Sequence, residues 1–374
     1  MGEKKRNTGI DILKILAMVL IVASHVVQTM GTTHPGLSVN DNYFFDLNMA
    51  TTSPSIFTLD IIRYGGALGN NVFFVCTAWF LCSKNSLKIN KITRLMLENY
   101  LISIFVFACV YFLGYFSITQ EDRMLSLFPT LLGSNWYVTC YIIIFLLHPY
   151  LNSLCSGLDR RQHKSLCMVL VFLYSILGFL KPNILFPSSV ITFTNLYIIV
   201  SYVKKYSPAI FDKNNAKKVL AWSLILNTLL ITGVNIGGVY ISALNDKLMY
   251  FDTNQNPLFI TSAISMFVIF RDISVSSHFV NKIVGKTASV TLYVYIIHEN
   301  VIMRRYLRPL LFDWIYDEYG YGDLLLWMVI VTALLFVVSA VIGLIYTRLF
   351  DPLFNRISNK IASGIDRIKD RVVG

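Results

Sequence analysis

The chain has 374 residues, of which 55% are hydrophobic and only 14% are charged, and several apolar stretches approach twenty residues. This composition excludes an ordinary soluble fold and predicts a polytopic membrane protein. The net charge of +11 would suit nucleic-acid binding only if the basic residues were concentrated on one surface. The six cysteines lie in or beside apolar runs without metal-ligand spacing, which indicates reduced thiols.

Ten apolar segments are predicted to be membrane-spanning helices. They cover residues 12–30, 64–82, 96–118, 136–153, 165–181, 188–203, 218–243, 256–271, 287–303 and 323–347. If the connecting segments alternate sides, 25 of the 32 Lys and Arg residues lie on the side of the N-terminus and 7 on the other. This asymmetry puts both termini in the cytoplasm and explains the basicity without a nucleic-acid partner.

The C-terminal segment has a different pattern. Its apolar residues recur at spacings of three and four with Arg and Lys between them, namely Phe354, Ile357, Ile361, Ile365 and Ile368. This pattern is typical of an amphipathic helix on a membrane surface. We therefore predict an all-α chain with a transmembrane domain over residues 1–350 and a cytoplasmic amphipathic tail over residues 351–374.

The first span, "IDILKILAMVLIVASHVVQ", carries three ionisable residues. At 100° per residue, Lys14 and His25 fall within about 20° of each other and Asp11 within about 60° of Lys14, so one stripe of the helix holds all three. Asp11 and Lys14 are equally well explained as an interfacial pair. His25 lies roughly 16 Å deeper than Lys14, where an imidazole needs a partner, so we predict a functional role for it.

A second polar group interrupts the ninth span, "VTLYVYIIHENVIMRRYLR". Tyr295, His298 and Glu299 are helical neighbours within an otherwise apolar sequence. A carboxylate at Glu299 would orient an imidazole for base catalysis, accept hydrogen bonds from a sugar, or bind a cation. The alternative is that Glu299 only neutralises Arg304 or Arg305 at the outer rim.

Three weaker patterns complete the candidate site. Lys91 and Arg94 would clamp a phosphorylated cofactor, although a positive-inside loop explains them equally well. The amides of Asn70 and Asn71 require partners or a wet cavity. The aromatic residues that open the fourth span at its outer edge, Trp136 and Tyr137, also fit an ordinary aromatic belt.

Four of these stretches, in this order, resemble the acyltransferase 3 family of bacterial integral-membrane acyltransferases, which O-acylate surface polysaccharides. They are "KKRNTGIDILKILAMVLIVASH", "GNNVFFVCTAWFL", "SNWYVTCYIIIFLLHPYLN" and "LYVYIIHENVIMR". The resemblance covers nearly the whole chain. Two departures are the Thr77-Ala78-Trp79 run, where the family has Ser-Gly-aromatic, and lysine in place of arginine at Lys14 and Lys91.

The resemblance implies roles for individual residues. His25 corresponds to the family's catalytic histidine and Lys14 to its basic residue in the first helix. "KITR" stands where the family has R-x-x-R, so Lys91 and Arg94 would bind the acyl donor together with Lys14. We add Glu299 as a second catalytic residue. Substrate contacts are assigned to Asn70, Asn71, Trp136, Tyr137 and His298.

The predicted function is transfer of an acyl group, most simply acetyl, from acetyl-CoA to a hydroxyl of a polysaccharide or lipid-linked glycan. No metal is expected. The expected location is the bacterial cytoplasmic membrane, in contact with lipids, and the sequence leaves the oligomeric state open. Two alternatives are a proton-coupled transporter or flippase, in which His and Glu form a proton relay, and a sensory or assembly protein whose polar groups join helices.

Overall fold

A computed structural model of the chain describes residues 7–33, 53–178, 188–244, 251–320 and 322–373. The described residues form helices and contain no strand. In chain order the helices are α1 Thr8–Thr33, α2 Pro54–Arg63, α3 Gly65–Leu81, α4 Ile89–Leu113, α5 Gln120–Leu127, α6 Trp136–Gly157, α7 Arg160–Leu170, α8 Ser189–Tyr206, α9 Lys213–Tyr240, α10 Pro257–Phe270, α11 His278–Ser289, α12 Thr291–His298, α13 Arg308–Tyr319 and α14 Leu324–Val373. The predicted all-α class is therefore confirmed.

Five of these helices are long and apolar enough to cross a membrane: α1, α4, α6, α9 and α14. The other five predicted spans coincide with shorter or interrupted helices, such as α3 and the apolar α10. All six cysteines are free, as expected. The architecture supports a membrane-embedded helical bundle, whereas a total of ten spans and their orientation remain predictions.

Close packing of α1 against α3 determines where His25 lies. A Cβ atom added at Gly69 would lie 2.6 Å from the backbone oxygen of Ala17, and one at Gly66 would lie 2.4 Å from Ser24 Oγ. Only glycine allows the two backbones to approach this closely. As a result, the His25 end of α1 is held beside the start of α3.

The predicted ninth span is not one continuous helix. It is divided into α11, α12 and a π-helical turn over Met303–Leu307, with Glu299 as the residue that ends α12. Such departures from regular helix at membrane depth are tolerated where the backbone is buried in protein, and they are frequent at functional sites. The break directs His298 and Glu299 toward α1.

The C-terminal tail is continuous with the last span. α14 runs for 50 residues without interruption, so no helix boundary separates residues 1–350 from residues 351–374. Pro352 lies inside this helix, and Phe354 is buried while Ile361 and Ile365 are exposed. Asp351 and Asn355 bind Arg94, which ties the tail to the beginning of α4.

Candidate active site

His25 of α1 and Glu299 at the end of α12 are joined by a hydrogen bond. His25 Nδ1 lies 2.8 Å from Glu299 Oε2 and 3.1 Å from His298 Nε2. The side chain of His25 is 12% exposed, whereas that of Glu299 is 4% exposed. His25 is therefore the member of this group that a substrate can reach, and Glu299 and His298 lie behind it.

The hydrogen bonds define the tautomers of both histidines. His298 Nδ1 lies 2.6 Å from the backbone oxygen of Val294, which can only accept, so this nitrogen carries a proton. His298 Nε2 is then a lone-pair acceptor in the neutral ring. Both neighbours of His25 Nδ1 are acceptors, so the proton of neutral His25 lies on Nδ1. None of the described residues bonds to His25 Nε2, so its lone pair is available, as a general base requires.

Two guanidinium groups fix the Glu299 carboxylate on its other side. Arg304 Nη1 lies 3.0 Å from Oε1, and the buried Arg308 lies 3.4 Å from Oε2 through Nη1. Arg305 instead binds Glu121 and Asp122 of α5. Glu299 does neutralise Arg304, as the alternative interpretation has it, but its carboxylate also binds His25. The positive charges of Arg304 and Arg308 keep the Glu299 carboxylate ionised and oriented toward the imidazole of His25.

His25, His298 and Glu299 have the composition of a metal site, because their possible ligand atoms all lie within 4.8 Å of one another. The carboxylate, however, already binds two guanidinium groups in addition to His25. A cation would have to enter beside Arg308, which is itself buried and positively charged. This charge balance favours a hydrogen-bonded catalytic group over a metal centre.

A series of aromatic rings leads from the histidines into the bundle. Tyr295 contacts the ring of His298 edge to face at 5.9 Å, and Tyr137 lies 5.6 Å from Tyr295. Trp136 stacks on Phe193 of α8 at 6.0 Å. Tyr137 is buried, so it packs in the core of the bundle. Its hydroxyl has no hydrogen-bond partner in the described part of the chain.

Lys91 and Arg94 line a cavity of about 270 Å³ near the beginning of α4. The lining of this cavity also includes Glu98 of α4, Tyr141 and Phe145 of α6, and Leu292 of α12. Tyr141 lies one helical turn from Tyr137, the member of the aromatic series that is four residues earlier on α6. Through Tyr141 the wall of the cavity is thus connected along α6 to the aromatic series.

The guanidinium of Arg94 is fully engaged by the protein itself. Its Nε atom donates to Glu98 at 2.6 Å, and its two terminal nitrogens donate to Asp351 at 2.5 Å and Asn355 at 2.8 Å. The Tyr293 hydroxyl also donates to Glu98, at 2.8 Å. Lys91 is exposed at the cavity. A phosphate that binds Arg94 must displace Asp351.

The remaining predicted site residues lie on α1 and α3. Lys14 is half-buried near Cys76 of α3, and no contact among described residues joins it to Lys91 or Arg94. Asn70 and Asn71 are buried. Asn71 Nδ2 donates to the backbone oxygen of Asn254 at 2.9 Å. In the described structure, no group donates to the Oδ1 atom of either amide.

Comparison with known proteins assigns the chain to a family. The family model described as an acyltransferase domain matches residues 7–347, which is nearly the whole chain. The chain belongs to the acyltransferase 3 family. No curated protein and no solved structure gives a significant match. The matched acyltransferase domain includes His25, His298 and Glu299 and ends before the tail residue Asp351.

Sequence reasoning missed several polar residues of this acyltransferase 3 chain. Arg63 Nη2 binds Asp252 Oδ2 at 2.9 Å, and Asp252 is close enough to His25 for an electrostatic interaction. Asp60 accepts a hydrogen bond from Asn235. The available signal was the dense polar stretch "FDTNQN" directly before the apolar Pro257 helix. Its pairing with residues of α2 and α9 is long-range and leaves no local pattern.

Proposed function

We propose that this acyltransferase moves an acyl group, most simply acetyl, from acyl-CoA to a hydroxyl of a polysaccharide or lipid-linked glycan at the bacterial cytoplasmic membrane. The observation that carries this proposal is the His25–Glu299 pair, in which Nδ1 is held and Nε2 is left free. A buried carboxylate behind an accessible imidazole is the arrangement that general-base catalysis on a hydroxyl requires.

The reaction can be written on these atoms. His25 Nε2 takes the proton from the acceptor hydroxyl as its oxygen attacks the thioester carbonyl, and Glu299 stabilises the imidazolium that forms. The tetrahedral intermediate collapses, the C–S bond breaks, and the imidazolium returns the proton to the departing CoA thiolate. The products are an O-acyl ester and CoA, with His25 again neutral.

His25 Nε2 is also a candidate nucleophile that would carry the acyl group transiently. The two routes differ in what accumulates when the acceptor is omitted. Direct transfer leaves the enzyme unlabelled, whereas the covalent route leaves one labelled acyl group on His25. Rapid acid quenching followed by peptide mass spectrometry distinguishes them.

The donor is proposed to enter through the cavity lined by Lys91 and Arg94. Phosphate oxygens of CoA would replace Asp351 on the Arg94 guanidinium, with Lys91 as a second positive charge. The pantetheine arm would then follow Tyr141 and Tyr137 toward His25. The unpartnered Tyr137 hydroxyl is the candidate donor to the carbonyl oxygen that becomes an oxyanion. As part of this proposal, Lys14 keeps its predicted role toward the acyl donor, and Asn70, Asn71 and Trp136 keep theirs as substrate contacts.

The test is covalent transfer by the purified protein. The full chain in nanodiscs receives radiolabelled acetyl-CoA and fractions of its host's envelope glycans, and label attached to glycan is measured against CoA released. We expect label in the glycan fraction, in proportion to the CoA released. Proton-coupled solute flux without consumption of acetyl-CoA would instead identify a transporter.

A further inference from the structure

A second polar group lies beside His25. We call it the α2–α9 cluster, and it comprises Asp60, Arg63, Tyr64, Asn235 and Asp252. Ser24, the residue before His25, donates its hydroxyl to the backbone oxygen of Arg63 at 2.5 Å and so joins the cluster to α1. Asp252 interacts electrostatically with His25 itself.

The cluster contains hydrogen-bonding atoms that the fold does not use. Asn235 is fully buried, and its Nδ2 donates to Asp60 Oδ2 at 2.7 Å. Since a carboxylate oxygen only accepts, the orientation of this amide is fixed and its Oδ1 atom must be the free acceptor. Nothing in the described ranges donates to that Oδ1 atom.

Tyr64 provides the second unused group. Its side chain is 1% exposed, and its hydroxyl has no hydrogen-bond partner among the residues described. It lies within electrostatic range of Asp60, Arg63 and Asp252. Buried polar groups are almost always paired, so two unpaired groups in one cluster beside a reactive histidine indicate a ligand.

The chemistry of the cluster restricts that ligand. An amide oxygen needs a donor, and a tyrosine hydroxyl both donates and accepts, so each complements a hydroxyl group. The two carboxylates, Asp60 and Asp252, outnumber the one guanidinium of Arg63, which disfavours an anionic ligand. A neutral compound with several hydroxyl groups satisfies both conditions.

We propose that the α2–α9 cluster binds neutral sugar hydroxyls of the acceptor, with Tyr64 and Asn235 as the contacting residues. This inference rests on the proposed function, because it assigns the acceptor of that reaction to the cluster joined to α1 next to His25. The acyl donor and the acceptor would then reach His25 along different elements: the donor along Tyr137 and Tyr295, and the acceptor from α2 and α9.

Tyr64→Phe is the sharpest test, because it removes a hydroxyl that no described residue uses and so leaves the fold intact. The control is Ser265→Ala, which removes another buried hydroxyl without a described partner, in α10. Equilibrium binding of the neutral probe chitotriose and of the anionic probe trigalacturonate is measured on the full chain in nanodiscs. Unfolding temperatures of all variants are compared.

We expect chitotriose to bind the wild type and Ser265→Ala equally, Tyr64→Phe about tenfold more weakly, and trigalacturonate more weakly than chitotriose in every case. Unchanged chitotriose affinity in Tyr64→Phe, preference for trigalacturonate, or no binding of chitotriose to the wild type would each overturn the site. Acetyl transfer is assayed separately. Chitotriose binding that depends on Tyr64 without consumption of acetyl-CoA would overturn the proposed function and leave the sugar site standing.

Discussion

Glu299 Oε2 lies 2.8 Å from His25 Nδ1 and joins the first helix to the end of α12, near the opposite end of the chain. The carboxylate is buried and is held from behind by Arg304 and Arg308. This arrangement fixes the position and the tautomer of the imidazole before any substrate binds. Preorganisation of this kind reduces the cost of reaching the transition state.

Glu299→Gln should lower kcat for acyl transfer by about 10²–10⁴-fold, which is the usual contribution of general acid–base catalysis. The amide cannot stabilise the imidazolium, and its NH₂ group can favour the wrong tautomer of His25. The KM for acetyl-CoA should change little. Turnover of purified protein with saturating acceptor gives both constants.

The same variant leaves the buried Arg308 without its counter-charge, so loss of activity must be separated from loss of stability. The double variant Glu299→Gln with Arg308→Leu removes both buried charges and should recover the unfolding temperature but not kcat. If the double variant recovers both, Glu299 has only a structural role.

His298 is a positioning residue, because it contacts His25 and not the reacting atoms. His298→Phe keeps a ring against Tyr295 and removes the Nε2 acceptor, and we expect kcat to fall about tenfold with KM unchanged. The matched control is His148→Phe, since buried His148 also bonds a backbone oxygen of its own helix, that of Phe145. An equal loss of kcat in both variants would argue against a specific role.

Asp351 should compete with the acyl donor for Arg94. Asp351→Asn weakens the ion pair in which Arg94 Nη2 lies 2.5 Å from Asp351 Oδ1, so we expect a lower KM for acetyl-CoA. Arg94→Gln should instead raise this KM several-fold. Neither variant should change the acceptor KM. Glu318→Gln, at an exposed position of α13, serves as the charge control. A KM for acetyl-CoA that is insensitive to both changes would place the donor elsewhere.

Asp122 of α5 should make stability dependent on pH. Burial raises the pKa of its carboxyl, but hydrogen bonds from Tyr306 and Thr119 and the charge of Arg305 outweigh this, so the pKa is lowered in the folded chain. Its stabilising contribution is therefore complete above the unfolded pKa, about 3.9, and is lost as the pH falls through the lower folded value.

The measurement is the unfolding temperature between pH 7 and pH 3. We expect the wild type to lose stability below about pH 4 and Asp122→Asn, which lacks the charge at every pH, to lose less. Asp159→Asn is the control, because asparagine preserves the N-cap of α7. Identical curves for wild type and Asp122→Asn would show that the Arg305 contact contributes nothing.

The sequence was sufficient to select His25, His298 and Glu299, because an ionisable residue in an apolar helix stands out against its neighbours. It also predicted where helices occur. It missed the long-range partners: Arg308 on Glu299, Asp351 on Arg94 and Asp252 on Arg63. No local pattern identifies the partner of any of these residues, because only the packing of segments distant in sequence brings the pairs together.

Helix boundaries were the other weakness. The last span and the amphipathic tail are predicted as separate segments, and in the structure one helix, α14, runs through both and past Pro352. Proline removes one backbone donor but ends a helix only when packing does not hold both sides, and here Phe354 is buried. The break at Glu299 has no proline or glycine to mark it.

Loss of transfer in His25→Gln is the decisive test of His25 as the catalytic base. Three proteins are purified in nanodiscs: the wild type, His25→Gln and His148→Gln. Their unfolding temperatures are compared to confirm that each is folded, and each receives radiolabelled acetyl-CoA with an envelope glycan acceptor. We expect the wild type and His148→Gln to attach label to the glycan and His25→Gln to do so at least about 10²-fold more slowly. Near-normal transfer by folded His25→Gln would contradict this role of His25.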